Sequence, residues 1–156
     1  INRKRGGQKA AQETAMLAGT MHDLGKLVLA KYAETQYRTV LRATVERQAQ
    51  VVDMERELMD TDHALIGGYL AQWWNLPDNI VEAVQYHYEP ANAKSEPELA
   101  HVVHLADVLA HRLILGSSGP GNIPALAPGV AKALSFGSGD VAKLEVELKE
   151  MNISLG

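Results

Sequence analysis

The sequence predicts an all-α protein, a compact bundle of several helices. Apolar residues recur three and four positions apart along almost the whole chain, which is the spacing of one face of an α-helix. Alternating apolar and polar residues, the pattern of a half-buried strand, are scarce. Hydrophobic residues make up 46% of the 156 positions, which is enough to fill one sizeable core. We therefore expect a single helical domain that spans residues 1–156.

The predicted helices are separated by prolines, glycines and capping residues. Residues 1–8 are basic and carry two glycines, so we interpret them as a linker or a cut loop. Gly25 should break the first helical run, and the glycine, serine and proline residues of 116–124 should form a loop. The chain starts with isoleucine rather than methionine, so we expect a fragment that lacks upstream helices. The predicted helices are 9–22, 27–33, 35–48, 53–59, 62–74, 77–88, 98–115, 126–134 and 140–151.

Composition argues against several classes of function. The net charge of −4 gives no electrostatic basis for binding DNA or RNA, and aromatic residues at 5% give little for stacking on bases. No apolar run reaches the length that spans a membrane. The chain has no cysteine, so disulfides and thiolate metal sites are excluded, which fits a reducing compartment. We expect a cytoplasmic protein that binds neither nucleic acid nor membrane.

A histidine and an aspartate stand side by side inside the apolar run from Leu17 to Leu29. Imidazole nitrogen and carboxylate oxygen together suit zinc, iron or manganese, whereas carboxylate alone suits magnesium. His22 and Asp23 are therefore candidate metal ligands. Lys26 lies one turn beyond His22, where its ammonium could hold a phosphate oxygen as a point charge. The alternative is an ordinary helix end, in which Asp23 caps a turn and Lys26 is solvated.

The predicted helix 98–115 is apolar on nearly every side, which is typical of a helix in the middle of a bundle. His104, Asp107 and His111 are polar exceptions on one stripe of this helix. A buried carboxylate such as Asp107 needs a partner cation or hydrogen-bond donors. Sites in helix bundles are built from side chains that project inward from facing helices. The polar residues that could meet in this way are His22, Asp23, His63, His87, His104 and Asp107.

Each candidate also has an ordinary structural explanation. His63 follows the N-capping residue Asp62 and could be a first-turn residue. His87 could interact with the dipole of a helix C-terminus, and His104 could be a core histidine bonded to a backbone carbonyl. The remaining candidates are interpreted as partly exposed histidines, solvated glutamates, and core or interface tryptophans: His101, His111, Glu55, Glu57, Trp73 and Trp74.

Taken in order, these motifs resemble a known family. The run Met21-His22-Asp23-Leu24-Gly25-Lys26-Leu27 resembles the hallmark of the HD superfamily of metal-dependent phosphohydrolases. The series that follows it resembles the HDOD family more specifically, over about residues 15–115. The motifs of this series are Glu55-Arg56-Glu57-Leu58-Met59-Asp60-Thr61-Asp62-His63-Ala64, Gly67, Trp74-Asn75-Leu76-Pro77, Tyr86-His87 and His104-Leu105-Ala106-Asp107.

The resemblance implies a helical bundle of the HD-domain type that acts as a regulatory module in bacterial signalling. Such domains accompany other signalling domains, in the same chain or a partner chain. By the same resemblance, His22, Asp23 and Asp107 match metal-ligand positions of catalytic HD relatives. His63 and His87 match histidines that help hold a second metal in the HD-GYP branch. The implied cofactor is a divalent ion of iron, manganese, zinc or magnesium.

The resemblance also implies catalytic roles for Asp23 and for Lys26, a lysine that contacts substrate phosphate in active relatives. Three departures from the catalytic pattern stand against such activity. Residues 1–21 contain no histidine to match the upstream ligand. Tyr88 occupies the position of a second HD-GYP histidine, and no Gly-Tyr-Pro signature follows Glu89. Loss of ligands weakens metal affinity and catalysis together.

Three hypotheses follow. The first, which we favour, is a non-catalytic signalling module that retains a metal-binding pocket. The second is a metal-dependent phosphohydrolase acting on a nucleotide or cyclic dinucleotide. The third is a purely structural bundle in which the motif serves packing alone.

Overall fold

The computed structural model describes residues 2–113 and 124–153 of the chain, and within them the regular structure is entirely helical. This confirms the predicted all-α class. A short 3-10 turn, Pro90–Asn92, precedes the helix that we expected to be central. The α-helices are α1 Asn2–Met21, α2 Leu24–Tyr32, α3 Glu34–Arg47, α4 Val51–Met59, α5 His63–Trp73, α6 Asp78–Gln85, α7 Pro97–Leu113, α8 Val130–Ala133 and α9 Asp140–Ile153.

The basic N-terminal stretch is helical from Asn2 and belongs to α1, so residues 2–8 do not form a loop. This stretch contains no proline, and its lysine, arginine and glutamine residues are good helix formers. Two glycines cost only about 1 kcal/mol each in a helix interior, which lowers helical stability without ending the helix. Elsewhere α6 ends three residues earlier than expected, and most of the predicted loop 116–124 lies outside the described residues.

The helical run breaks at His22 and Asp23, not at Gly25, which is the second residue of α2. The glycine has a packing role instead. A Cβ at Gly25 would overlap the backbone carbonyl of His63, the first residue of α5. The backbones of α2 and α5 therefore touch at this point, and the contact brings the His22–Asp23 turn beside His63.

The apolar core is divided into three clusters of buried side chains. One joins α1, α5, α6 and α7 around Val84 and Val103, a second joins α2, α3 and α4 around Val40, and a third joins α7 to α8 and α9 around Val130. The tryptophans do not belong to these clusters. Trp73 and Trp74 are 75% and 49% exposed, so their predicted role as core anchors is wrong. In the described part of the chain, no helix is long and apolar enough to cross a membrane.

Candidate metal centre

The structure brings the five predicted metal ligands together in one largely buried cluster of polar side chains, which we call the pocket. His22 and Asp23 form the turn between α1 and α2, and His63 begins α5. His87 lies in the turn after α6, and Asp107 lies on the inner face of α7. Four segments, far apart in the sequence, therefore contribute to a single pocket.

Asp23 lies among the three histidines of the pocket, and Asp107 contacts one of them. Its Oδ1 lies 3.3 Å from His63 Nε2 and 3.6 Å from His22 Nε2. Asp107 Oδ1 lies 3.4 Å from His22 Nε2. The ring of His87 is 5.0 Å from that of His22 and 5.6 Å from that of His63, between centroids. One ligand atom each from Asp23, His63 and His87 fits within a span of 4.8 Å.

The three histidine rings are oriented by hydrogen bonds at Nδ1. His22 Nδ1 lies 2.7 Å from the carbonyl oxygen of Gly19, and His87 Nδ1 lies 2.7 Å from that of Val84. His63 Nδ1 lies 2.6 Å from a carboxylate oxygen of Glu55. These oxygens are acceptors, so each Nδ1 donates a proton, and the Nε2 of each ring faces the pocket, where it offers a lone pair whenever the ring is neutral.

These inward-facing atoms lack hydrogen-bond donors. Among the described residues, the Nε2 atoms of His22, His63 and His87 and the Oδ1 of Asp23 are buried without a hydrogen-bond partner. Buried acceptors that face one another are costly unless a proton or a metal ion lies between them. Three imidazoles with a carboxylate form a donor set that suits a transition metal, so the residues present fit a metal ion.

The electrostatics of the pocket also favour a cation. Burial would raise the pKa of Asp23 and of Asp107, but the neighbouring histidines, with Lys26 beside Asp23, hold both pKa values well below the usual range. Burial alone would lower the pKa of His22 and of His63, yet both are raised by their carboxylate neighbours. Burial, reinforced by the charges of the other two histidines, lowers the pKa of His87 to about 3. Ionised carboxylates and a neutral imidazole thus line the pocket.

Lys26 lies beside the pocket and is partly exposed, with its Nζ 2.8 Å from Asp23 Oδ2. The lysine therefore fixes one oxygen of Asp23 and leaves the other to face the histidines. Tyr88 lies beside the pocket, with its ring 4.3 Å from that of His87 and 5.5 Å from that of His63. Burial and the surrounding carboxylates raise the pKa of the Tyr88 phenol, so it stays protonated and is a poor metal ligand.

Glu55 was expected to be solvated, and this prediction is wrong. Its side chain is fully buried, and one carboxylate oxygen accepts from both Nδ1 and the backbone N–H of His63. A signal was present in the sequence, because Val52, Glu55 and Met59 share one stripe of α4 and the other two are apolar. Glu57 is half-exposed and pairs with Arg47, as a solvated glutamate should.

The other histidines lie outside the ligand set. His101 is buried rather than partly exposed, and its Nδ1 bonds to the carbonyl of Pro97 in its own helix. His111 is partly exposed as expected, and it bonds to the backbone of Asp107. Its carboxylate neighbour raises the pKa of His111. His104 is a core histidine bonded to a backbone carbonyl, which confirms the structural explanation given for it.

Comparison with known proteins identifies the class. The HDOD domain family matches residues 1–90, so the chain belongs to this family, within the metal-binding HD superfamily. A crystal structure of an HDOD domain protein with unknown function from Geobacter sulfurreducens shares 23% identity and superposes with a TM-score of 0.71. The match covers 90% of this chain and 50% of that one.

Two further relatives are similar. The crystal structure of a "Putative signal transduction protein" from Marinobacter aquaeolei VT8 shares 24% identity at a TM-score of 0.73, over 91% of this chain and 32% of that one. An uncharacterised protein of Treponema pallidum (strain Nichols) is 27% identical over 93 residues, which is 60% of this chain and 18% of that protein. The structural similarities establish the fold, and this chain spans at most half the length of these relatives.

Proposed function

We propose that this chain is a regulatory HDOD module whose pocket binds a divalent metal ion through His22, Asp23, His63, His87 and Asp107. The observation that carries the proposal is the set of buried, donorless acceptors: three imidazole Nε2 atoms around Asp23 Oδ1. A purely structural bundle would gain little by burying such acceptors together, because they cost free energy until protons or a metal ion lie between them, and the low pKa of His87 leaves its Nε2 without a proton.

The ligand chemistry narrows the choice of ion. Imidazole nitrogens suit zinc, iron and manganese, whereas magnesium prefers an all-oxygen site. We therefore favour iron, manganese or zinc over magnesium. Asp23, His63 and His87 would form the core of the ligand set. His22 lies beside Asp23, and Asp107 contacts His22, so both could complete the coordination of an ion held there.

The residues around the pocket have distinct roles in this proposal. Glu55 and the carbonyl oxygens of Gly19 and Val84 orient the three rings, and Lys26 holds Asp23. A bound ion would supply a fixed positive charge that ties the α1–α2 turn, α5, the turn after α6 and α7 together. The proposal gives the domain a metal-bound and a metal-free form, and a signalling partner in the same or a second chain could respond to the difference between them. The cytoplasm remains the expected compartment.

Metal content tests the proposal. The protein is purified without chelator and reconstituted separately with manganese, iron(II) and zinc. Bound metal per protein is then measured by elemental mass spectrometry. We expect stoichiometric metal in the wild type and in the control His101→Gln, a buried histidine that lies outside the ligand set. Asp23→Asn and His87→Gln should lose most of it. Absence of metal from the wild type, or full occupancy in Asp23→Asn, would refute the proposal.

The position of Lys26 favours a second candidate, a metal-dependent phosphohydrolase acting on a nucleotide or cyclic dinucleotide. Its partly exposed ammonium lies beside Asp23, where it could hold an oxygen of a phosphate bound to the ion. In this scheme Asp23 and Lys26 have the catalytic roles. Hydrolysis of a phosphodiester by the metal-loaded protein, lost in Lys26→Met with metal retained, would establish this activity. If the metal-loaded protein shows no hydrolysis, the phosphohydrolase candidate fails and the regulatory role stands.

A further inference from the structure

We infer that His104 is a positioning residue that ties the candidate ligand His87 to the segment before α8, so that metal occupancy is coupled to the packing of the C-terminal helices. This inference rests on the proposed metal site and names the part of the fold that would respond to metal binding. The residue lies in the middle of α7, only 2% exposed, and is not among the ligands.

Both ring nitrogens of His104 are engaged with backbone groups from distant parts of the chain. Nδ1 lies 2.7 Å from the carbonyl oxygen of His87, 17 residues earlier in the sequence. The backbone N–H of Ala127, 23 residues later, donates to Nε2 at 2.8 Å. A carbonyl can only accept and an amide N–H can only donate, so this bridge requires the neutral ring with its proton on Nδ1.

On one side, the bridge fixes the backbone of a candidate ligand. The ring of His87 is oriented by the bond from its Nδ1 to the Val84 carbonyl, and its own carbonyl is held by His104. Ring and backbone are thus fixed by two separate contacts. Loss of the contact to His104 would let the turn after α6 move and would leave His87 Nε2 less accurately placed. Partners of this kind typically change metal affinity by about 10- to 100-fold.

At its other end, the bridge holds Ala127, in the segment that leads into α8 and α9. Ala127 precedes α8 and packs with Leu126 against the buried cluster of Leu105, Leu109 and Val130. Helices α7 and α9 and the segment after α8 surround an apolar cavity of about 520 Å³. The wall opposite α7 is formed by Leu134, Phe136, Leu144 and Leu148. A shift of Ala127 would therefore move the segment that carries part of this wall.

Two substitutions separate the halves of the bridge. The Asn side chain places its amide near the position of imidazole Nδ1, so His104→Asn can still donate to His87 while losing Ala127. The longer Gln side chain places its terminal oxygen near Nε2, so His104→Gln can still accept from Ala127 while losing His87. His101→Gln is the matched control, because it changes a histidine on the same helix whose Nδ1 bonds only within that helix.

The measurements are manganese and zinc affinity by calorimetry and hydrogen exchange at residues 124–134, with and without metal, on the full chain. In the wild type and in His101→Gln, metal should increase protection of the Ala127 amide by about 5-fold or more. His104→Asn should bind metal with nearly wild-type affinity, but its Ala127 amide should exchange quickly and not respond to metal. His104→Gln should keep that protection but bind metal about 10-fold more weakly.

The outcomes distinguish this inference from the proposed function. If the wild type binds no metal, the metal-site proposal fails and the inference fails with it. If the wild type binds metal but protection at Ala127 does not change, the coupling is wrong and the metal site stands. Wild-type affinity in His104→Gln, or unchanged exchange in His104→Asn, would likewise overturn the role of His104.

Discussion

Glu55 shows how one buried carboxylate can organise a pocket that it does not line. It is fully buried, yet no lysine or arginine pairs with it among the contacts of the described residues. One of its oxygens accepts from the ring and backbone of His63, and Tyr37 lies close enough for the carboxylate to raise the tyrosine pKa. A buried carboxylate is costly unless its oxygens accept strong hydrogen bonds. The carboxylate also makes the imidazole a more basic ligand, as carboxylate–histidine pairs do in metal sites.

Glu55→Gln should therefore weaken metal binding without unfolding the protein. The amide keeps the shape and one acceptor but removes the charge behind His63, so affinity should fall by about 10- to 100-fold. Calorimetric titration with zinc or manganese measures the change. Glu57→Gln is the control, because Glu57 is half-exposed and pairs with Arg47, away from His63. Equal affinities in the two variants would show that Glu55 has no orienting role.

Asp62 stabilises the start of α5, the helix that presents His63. One carboxylate oxygen accepts from the backbone N–H of Leu65, and the other lies 2.7 Å from Arg56 Nε. Burial raises the pKa of Asp62, but the bond from Leu65 and the charge of Arg56 outweigh it, so the pKa lies below its usual value. This carboxylate consequently makes folding depend on pH.

Asp62 stabilises the fold more at neutral than at acidic pH. Above the unfolded pKa of about 3.9, Asp62 is ionised in both states and its stabilisation is complete. As pH falls, the unfolded state takes up the proton first, and the stabilisation is lost as pH passes through the lower folded pKa. Asp62→Asn keeps a capping oxygen and removes the titration. Between pH 6 and 3 (about the range where carboxyls titrate), the free energy of unfolding measured with urea should fall further in the wild type than in Asp62→Asn. Parallel pH profiles of the two proteins would contradict this.

At the scale of helices, the contact between α2 and α5 decides whether the pocket forms. Gly25 permits backbone contact with His63, and Gly67 on α5 faces the side chain of Val84 on α6 with a Cβ clearance of only 3.0 Å. Small residues at these crossings let three helices approach closely. The His22–Asp23 turn, His63 and the turn that carries His87 are placed together as a result.

Gly25→Ala should separate α2 from α5. Although alanine favours helix formation, overlap with the His63 carbonyl should cost about 1–3 kcal/mol or more in the free energy of unfolding. Gly19→Ala is the control, since a Cβ there meets nothing within 4 Å, and it should be neutral or stabilising by up to about 1 kcal/mol. Urea unfolding compares the two. Equal stability of both variants would mean that the α2–α5 contact is less tight than the structure shows.

At the scale of the whole molecule, the pocket joins parts of the chain that otherwise belong to separate apolar clusters. The clusters around Val84, Val40 and Val130 each pack internally. Polar residues lie where α2, α5, α7 and the turn after α6 meet. An ion that binds only the folded pocket stabilises every element that contributes a ligand, because unfolding must release it.

Metal should accordingly raise the melting temperature, and a chelator should reverse the rise. At a free concentration of 100 times Kd, the gain is about 2.7 kcal/mol, which corresponds to roughly 5–11 °C for a domain of this size. Differential scanning calorimetry with zinc or manganese, before and after EDTA, measures the shift. The double variant His63→Gln/His87→Gln should show none. A full shift in that variant would place the ion elsewhere.

The sequence predicted the helical class, most helix positions and the residues that the structure gathers in the pocket. These features depend on local information: helical spacing of apolar residues, capping and proline signals, and polar side chains on otherwise buried faces. Even the Asp62 cap and the core position of His104 follow from such patterns. The roles of His22, Asp23, His63, His87 and Asp107 as metal ligands stay a prediction, although their side chains do meet.

Tertiary structure decided what depends on contacts between distant segments. Glu55 is a charged residue in an acidic stretch, as surface residues often are. Only the approach of α5 to α4 makes it a buried partner of His63. Gly25 has the appearance of a helix break, and only the carbonyl of His63 shows that it is a contact point. His104 joins His87 to Ala127 across 17 and 23 residues. Periodicity specifies which face of a helix is buried, but the identity of the neighbour on that face is set when the helices pack.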